Sequence, residues 1–208
     1  MTTRGFFVTF EGTEGSGKST QARRLAAALR RAGRRVTLVR DPGSTVLGRR
    51  LRHVLLHARL DRCSTLTEAL LFFAGRVALV DELIRPALRR GDVVICDRFH
   101  DSTVAYQGYG GELDVRWLDE LGRRAIGGLM PDVTLLLDVP VADGFSRLRR
   151  SRDRMERKTR AFHERVRRGF VQMARRERRR FVVVDGARAA DVVHRDVLAA
   201  VQRRLKRR

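Results

Sequence analysis

The sequence predicts one α/β domain in which a five-stranded parallel sheet carries helices on both faces. Three observations lead to it. Short apolar runs rich in β-branched residues, at 6–10, 36–39, 93–96, 133–137 and 181–184, alternate with longer helical stretches. Most of these runs are too continuous to leave one face wet, the pattern of strands covered on both sides. A glycine-rich loop also joins the first run directly to a helical stretch.

The elements follow in order. Met-Thr-Thr-Arg precedes the strand at 6–10, and this start lacks the longer apolar core and small-residue cleavage site of a secretory signal. A helix is expected at 19–32, stopped by Gly33, and the second strand at 36–39 leads into a turn at Asp41-Pro42-Gly43. Ser44 or Thr45 can then cap a helix at 46–57. A long helix is expected at 67–90 before Gly91, and another at 115–127 before Gly127-Gly128. Glycine ends a helix well because the left-handed conformation costs it little. Helices at 141–150, 160–178 and 190–204 complete the set. With no internal repeat, low-complexity tract or linker, a single domain over 1–208 is expected.

At 208 residues the chain can bury one sizeable core. Hydrophobic content of 43% with 33% charged residues fits a folded, soluble protein and not a disordered one. No apolar run reaches the ~18 residues of a membrane helix. Cys63 and Cys96 stand in no metal-ligand spacing, so two reduced thiols in a cytoplasmic protein are expected. The net charge of +21 could signal a nucleic-acid partner. Lysine, however, occurs only at 18, 158 and 206, and the arginines are spread over helical stretches along the whole chain. That spread suits a genome-wide compositional bias and basic clefts for phosphorylated substrates. Neither a nucleic-acid nor a membrane partner is expected.

Gly12-Thr13-Glu14-Gly15-Ser16-Gly17-Lys18-Ser19 fits G-x-x-x-x-G-K-[ST] between a strand and a helix. The glycines let successive backbone N–H groups converge on phosphate oxygens, and the helix adds its positive end. Lys18 supplies a cation for the β- and γ-phosphates, and the Ser19 hydroxyl can ligate Mg2+. Residues 12–20, Thr20 included, are therefore the expected ATP-binding loop. The chain contains no asparagine, which removes the Asn-Lys-x-Asp element by which GTPases read guanine.

The third strand ends in Asp97-Arg98-Phe99, followed by Ser102-Thr103 and Tyr106-Gln107. Loops beyond the carboxyl ends of parallel strands form the ligand crevice. Arg98 can grip a phosphate through two parallel hydrogen bonds, and Asp97 can hold a metal-bound water or orient Arg98. A structural ion pair is the competing account of Asp97-Arg98, and the neighbouring phosphate loop weakens it. Phe72 and Arg76, four apart on one helix face, could stack on a base and donate to its carbonyl, although taken alone a core ring beside a solvated arginine is the better account of them.

Together these segments resemble the bacterial thymidylate kinase family, from about residue 5 to residue 201. The resemblance rests on Phe-Glu-Gly-x-Glu-Gly-x-Gly-Lys-Ser at 10–19, Pro42-Gly43-x-Thr45, Leu51-Arg52, Phe72-x-x-x-Arg76, Asp97-Arg98 and Ala105-Tyr106-Gln107-Gly108. Pro131-Asp132, Leu137-Asp138-Val139, Asp153-Arg154-x-Glu156 and Phe162-His-x-Arg165 continue it. It implies a P-loop fold of the nucleoside monophosphate kinase type with a short lid at 147–160. It also implies transfer of the ATP γ-phosphoryl to dTMP, magnesium as cofactor, and a homodimer.

By the same resemblance Glu14 would meet the deoxyribose 3′-hydroxyl and Phe72 would stack on thymine. Arg76 would donate to a thymine carbonyl. Ser102, Thr103 and Gln107 would line the base and sugar pocket, and Tyr106 would exclude a 2′-hydroxyl. Arg52 and Arg98 would hold the acceptor phosphate, with Asp41 nearby. Relatives with an arginine after the acidic loop residue use it in catalysis. Here that position is Gly15, so a lid arginine is expected to act instead, Arg154 first and Arg149 second. Ser44, Asp41 and Lys158-Thr159-Arg160 depart from the family pattern. A kinase retuned for dUMP or a modified pyrimidine nucleotide, and a nucleic-acid-stimulated P-loop ATPase, are the alternatives. His53 and His57 carry no general base between them, so no metal site is expected there, and Trp117 is read as core or interface.

Overall fold

The computed structural model describes residues 5–57, 63–148 and 153–206. Five strands, β1 (Phe6–Glu11), β2 (Val36–Arg40), β3 (Val93–Asp97), β4 (Val133–Asp138) and β5 (Phe181–Asp185), lie in the order β2-β3-β1-β4-β5. Every pairing is parallel, with Phe10 opposite both Asp97 and Leu135, so the carboxyl ends of the central strands lie side by side.

Side chains alternate across the sheet, and β1 serves both faces. Val8 and Phe10 pack against Leu25 of helix α1 (Lys18–Arg31) and Val197 of helix α9 (Ala190–Lys206). Phe7 faces the other way, against Leu79, Ile84 and Phe99. On that second face lie α2 (Val46–Leu56), α3 (Thr65–Leu79), α4 (Arg85–Arg89), α5 (His100–Thr103), α6 (Val115–Ala125) and α8 (Arg160–Arg176), and the short α7 (Val141–Ser146) packs on α8. Among the described residues no helix is long and apolar enough to cross a membrane.

Three expectations need correction. The helix expected at 67–90 begins at Thr65, capped by the Ser64 hydroxyl, and a π turn at Val80–Ile84 separates α3 from α4. Pro86 explains the break: it lacks an N–H, and its ring would strike the carbonyl four residues back in a regular helix. Residues 104–110 also form a π-helical stretch continuing α5, where no helix was expected. That stretch is buried nearly throughout, so it lacks the polar face that would give a helical period. The helix expected at 141–150 ends at Ser146. The expected glycine stops hold: Gly33, Gly91, Gly127 and Gly128 have φ of 74°, 81°, 58° and 70°.

Candidate active site

The loop after β1 wraps the amino end of α1, whose first turn has no side-chain cap and leaves its N–H groups open to an anion. Lys18 curls back over the loop, donating to the Thr13 carbonyl at 2.6 Å and the Ser16 hydroxyl at 3.0 Å. Burial, then the nearby Arg98 guanidinium, pulls its amine down to about 7. A cation so placed gains from any bound polyphosphate.

The Ser19 hydroxyl donates to Asp97 Oδ2, so the two residues expected to serve a metal are in contact. One hydroxyl and one carboxylate beside a phosphate cradle suit magnesium, which keeps waters and phosphate oxygens in its shell. No group of three His, Cys, Asp or Glu side chains that could hold a metal occurs among the described residues, and that mode of binding needs none. His53 and His57 stand with ring centroids 6.0 Å apart and belong to no such group.

Arg98 adopts φ 68°, unusual for a residue with a side chain. Its guanidinium donates to the Gly12 carbonyl at 3.0 Å, the Ser102 hydroxyl at 3.1 Å, Tyr106 Oη at 3.1 Å and Glu14 Oε1 at 3.2 Å. Burial opposes the charge, but Tyr106, Glu14, Glu11 and Asp97 hold it firmly protonated. The buried Glu11 fixes this turn by accepting from the Phe99 N–H at 2.8 Å and the Ser102 hydroxyl at 2.5 Å.

Glu14 accepts from Tyr106 Oη at 2.5 Å and lies 3.4 Å from His163 Nδ1, in contact but outside hydrogen-bond geometry. Burial would raise its carboxyl, but His163, Arg98 and Lys18 bring it down to about 2.

Beside these groups opens a cavity lined by Phe72, Arg76, Ser102, Thr103, Tyr106 and Gln107, the residues expected around the base and sugar. Arg52 also lines it, donating to the Pro42 carbonyl at 3.3 Å. Burial, then the charge of Arg40, lowers its guanidinium to about 10, which an anion would reverse. Arg76 is only 1% exposed. Its Nε donates to Asp41 at 2.5 Å and its Nη2 to the Thr103 hydroxyl at 2.9 Å, while Nη1 has no partner. Asp41 was expected beside the acceptor phosphate. It lines the same cavity as Arg52 and Arg98, and its carboxylate is buried against Arg76, because a guanidinium at that depth needs a carboxylate.

The lid also departs from expectation. Arg154 donates to the Leu55 carbonyl at 2.8 Å and to Glu68 at 2.6 Å, drawn to a carboxylate only 1% exposed. It lines neither the phosphate-loop cavity nor the base cavity. Arg149 lies outside the described residues. Among the described residues of the lid segment, Arg147 is the arginine that lines the phosphate-loop cavity, and it also donates to the Gly186 and Ala187 carbonyls. Packing explains why Gly15 carries no side chain: a Cβ there would lie 1.8 Å from the Gly144 carbonyl of α7.

Glu11, Glu68, Arg147 and His163 were missed as functional residues. Glu11 stands in the Phe-Glu-Gly motif, and a carboxylate closing an apolar strand was the signal available. Glu68 and His163 gave none, since their partners are distant in sequence.

Glu14 and Arg98 line both cavities, so the phosphate loop and the base pocket open onto the same guanidinium. The sheet order, the loop and this pair of adjoining cavities define a P-loop phosphotransferase with the nucleoside monophosphate kinase fold. A family model for thymidylate kinase matches residues 10–197. The thymidylate kinase of Deinococcus radiodurans is 45% identical over 97% of this chain and 98% of its own, and that of Thermomicrobium roseum is 48% identical over 97% of both. A crystal structure of thymidylate kinase from Ehrlichia chaffeensis superposes with a TM-score of 0.78 at 35% identity, covering 95% of this chain and 98% of that one. The chain belongs to the thymidylate kinase family.

Proposed function

We propose that the enzyme transfers the γ-phosphoryl of ATP to dTMP, giving ADP and dTDP. The observation that carries this reading is the position of Arg98, which lines the cavity of Lys18 and that of Phe72 alike. A phosphate held there by Arg98 and Arg52 can present an oxygen to the γ-phosphorus. The new P–O bond forms as the bond to the β-phosphate oxygen breaks, and ADP leaves with that oxygen. Such transfer depends on positioning and cations more than on covalent help.

Within this reading the loop at 12–20 cradles the ATP phosphates, and Lys18 neutralises charge that builds during transfer. Ser19 and Asp97 would hold Mg2+, which when bound would neutralise charge on the ATP phosphates. Arg147 serves as the lid cation in place of Arg154, with Arg149 a second candidate, while Arg154 anchors the lid to α3. Phe72 stacks on the base and Arg76 Nη1 donates to its carbonyl. Glu14, ionised at any working pH, accepts from the sugar 3′-hydroxyl, and the Tyr106 ring leaves no room for a 2′-hydroxyl.

The enzyme works in the cytoplasm as a homodimer. Support for the dimer comes from the family and from Leu47, Leu66 and Leu70, large apolar side chains exposed on α2 and α3.

Initial rates with dTMP, dUMP and dCMP test the acceptor, and a dTMP rate no higher than the others would reject it. Hydrolysis stimulated by polynucleotide, with little transfer to any monophosphate, would instead favour a nucleic-acid-dependent ATPase.

A further inference from the structure

Glu68, in the first turn of α3, is 1% exposed and collects three donors from other elements. Arg154 donates to Oε1 at 2.6 Å, Lys158 Nζ lies 3.2 and 3.3 Å from the two oxygens, and Gln107 Nε2 donates to Oε2 at 3.0 Å. The two cations come from the lid segment, and Gln107 comes from the π-helical stretch that lines the base cavity. With two cations beside it, Glu68 is a carboxylate and can only accept. Gln107 must therefore turn its amide nitrogen to Glu68. That leaves its carbonyl oxygen pointing away from Glu68, buried with no partner.

Arg76 is in the complementary position. Asp41 and Thr103 take Nε and Nη2, leaving Nη1 as a buried donor without a partner. Both residues line the cavity, which is thus bordered by one unpartnered donor and one unpartnered acceptor. A pyrimidine with a carbonyl at C4 and a hydrogen on N3 satisfies both. Cytosine offers an amino group and a bare nitrogen at those atoms, setting donor against donor and acceptor against acceptor.

We propose that Glu68 is a positioning residue for acceptor specificity, locking the Gln107 amide so that the pocket selects pyrimidine nucleotides bearing N3–H. This rests on the reading of the cavity as a dTMP pocket and deepens it. Glu68 touches no reacting atom, and it acts through Gln107.

The test compares kcat/KM for dTMP and dCMP at saturating ATP in wild type, Glu68→Gln, Gln107→Leu and the double variant. Glutamine at 68 keeps the shape but can donate as well as accept, so Gln107 is free to turn over. The dTMP-over-dCMP ratio should narrow by about 10-fold or more in Glu68→Gln, since a buried polar group facing its own kind is what enforces such discrimination. The KM for ATP should stay within about twofold, and Glu68→Gln should narrow the ratio no further in the Gln107→Leu background. Parallel losses for both acceptors at an unchanged ratio would overturn the proposal, leaving Glu68 as an anchor for Arg154 and Lys158. Should Glu68→Gln fold poorly, Glu68→Asp keeps the charge but shortens its reach to Gln107, and the same ratio decides. A wild-type enzyme that does not prefer dTMP to dCMP would overturn the acceptor reading itself, before any variant is made.

Discussion

Arg98 Nη2 donates to Glu14 Oε1 at 3.2 Å, which ties the loop after β3 to the phosphate loop through two residues that each line both cavities. Arg98 also reaches the Gly12 carbonyl, so the acceptor clamp is referenced directly to the donor cradle. In the proposed reading, this linkage fixes the distance over which the phosphoryl group travels.

Replacing Arg98 by lysine keeps the charge but loses the fork that meets Gly12, Ser102, Tyr106 and Glu14 together. Arg98→Lys should lower kcat/KM for the nucleotide acceptor by about 10²–10³-fold, the scale of losing one preorganised contact to a reacting group. The KM for ATP should move much less. Steady-state kinetics with each substrate varied in turn would show it, and an equal loss on both substrates would place Arg98 outside the acceptor clamp.

Gly15 lies against α7 so closely that an added Cβ would sit 1.8 Å from the Gly144 carbonyl, and its φ is 67°. Gly15→Ala should therefore strain the loop and push α7 away. A clear fall in Tm is expected, together with a raised KM for ATP, because backbone strain and a displaced helix act together. Unchanged melting and unchanged ATP kinetics in Gly15→Ala would show that the loop yields easily.

Each strand was legible to within one residue, and the residue missed is charged in every case. The apolar runs stop at Phe10, Val39, Cys96, Leu137 and Val184, while the strands continue to Glu11, Arg40, Asp97, Asp138 and Asp185. A hydrophobic pattern cannot include those ends, yet Glu11, Arg40 and Asp97 stand at the site. The phosphate loop was legible because its chemistry is contained in eight consecutive residues. Pairings such as Arg76 with Asp41, and Arg154 with Glu68, were not, since 35 and 86 residues separate the partners. Which carboxylate a given arginine meets is decided by the order of strands, and local spacing carries no trace of it.

Glu11 yields a prediction in pH. Burial, then the charge of Asp101, raises its carboxyl from an ordinary value of 4.5 to about 8. Between those values the folded chain keeps a proton that the unfolded chain has released. Glu11 therefore supports the fold below about pH 4.5 and loses that support as pH rises toward 8. Glu11→Gln carries no titrating group, so its stability relative to wild type should improve steadily from pH 5 to 8. Glu14 titrates in the opposite sense and below this window, since its folded value is about 2. Denaturant unfolding of both proteins across the range would reveal the trend, and a constant difference between them would remove Glu11 as its source.

Arg180 separates buried from exposed ion pairs in one chain. Its guanidinium donates to both oxygens of Asp101 at 2.6 and 2.9 Å and to Thr134, with the two charged side chains 10% and 2% exposed. Arg124 meets Glu120 at 2.5 Å, but those side chains are 79% and 63% exposed. Removing Arg180 leaves a carboxylate stranded beneath the sheet beside Glu11, so Arg180→Ala should cost about 3–5 kcal/mol. Arg124→Ala should cost less than about 1 kcal/mol, because water already solvates both partners. Adding Asp101→Asn to Arg180→Ala should recover part of the loss, since the buried group left behind is then neutral. Such recovery would show that the penalty lies in the stranded charge. If Arg124→Ala proved as damaging as Arg180→Ala, burial would not be what sets the worth of these pairs, and the account of Arg76 with Asp41 would weaken with it.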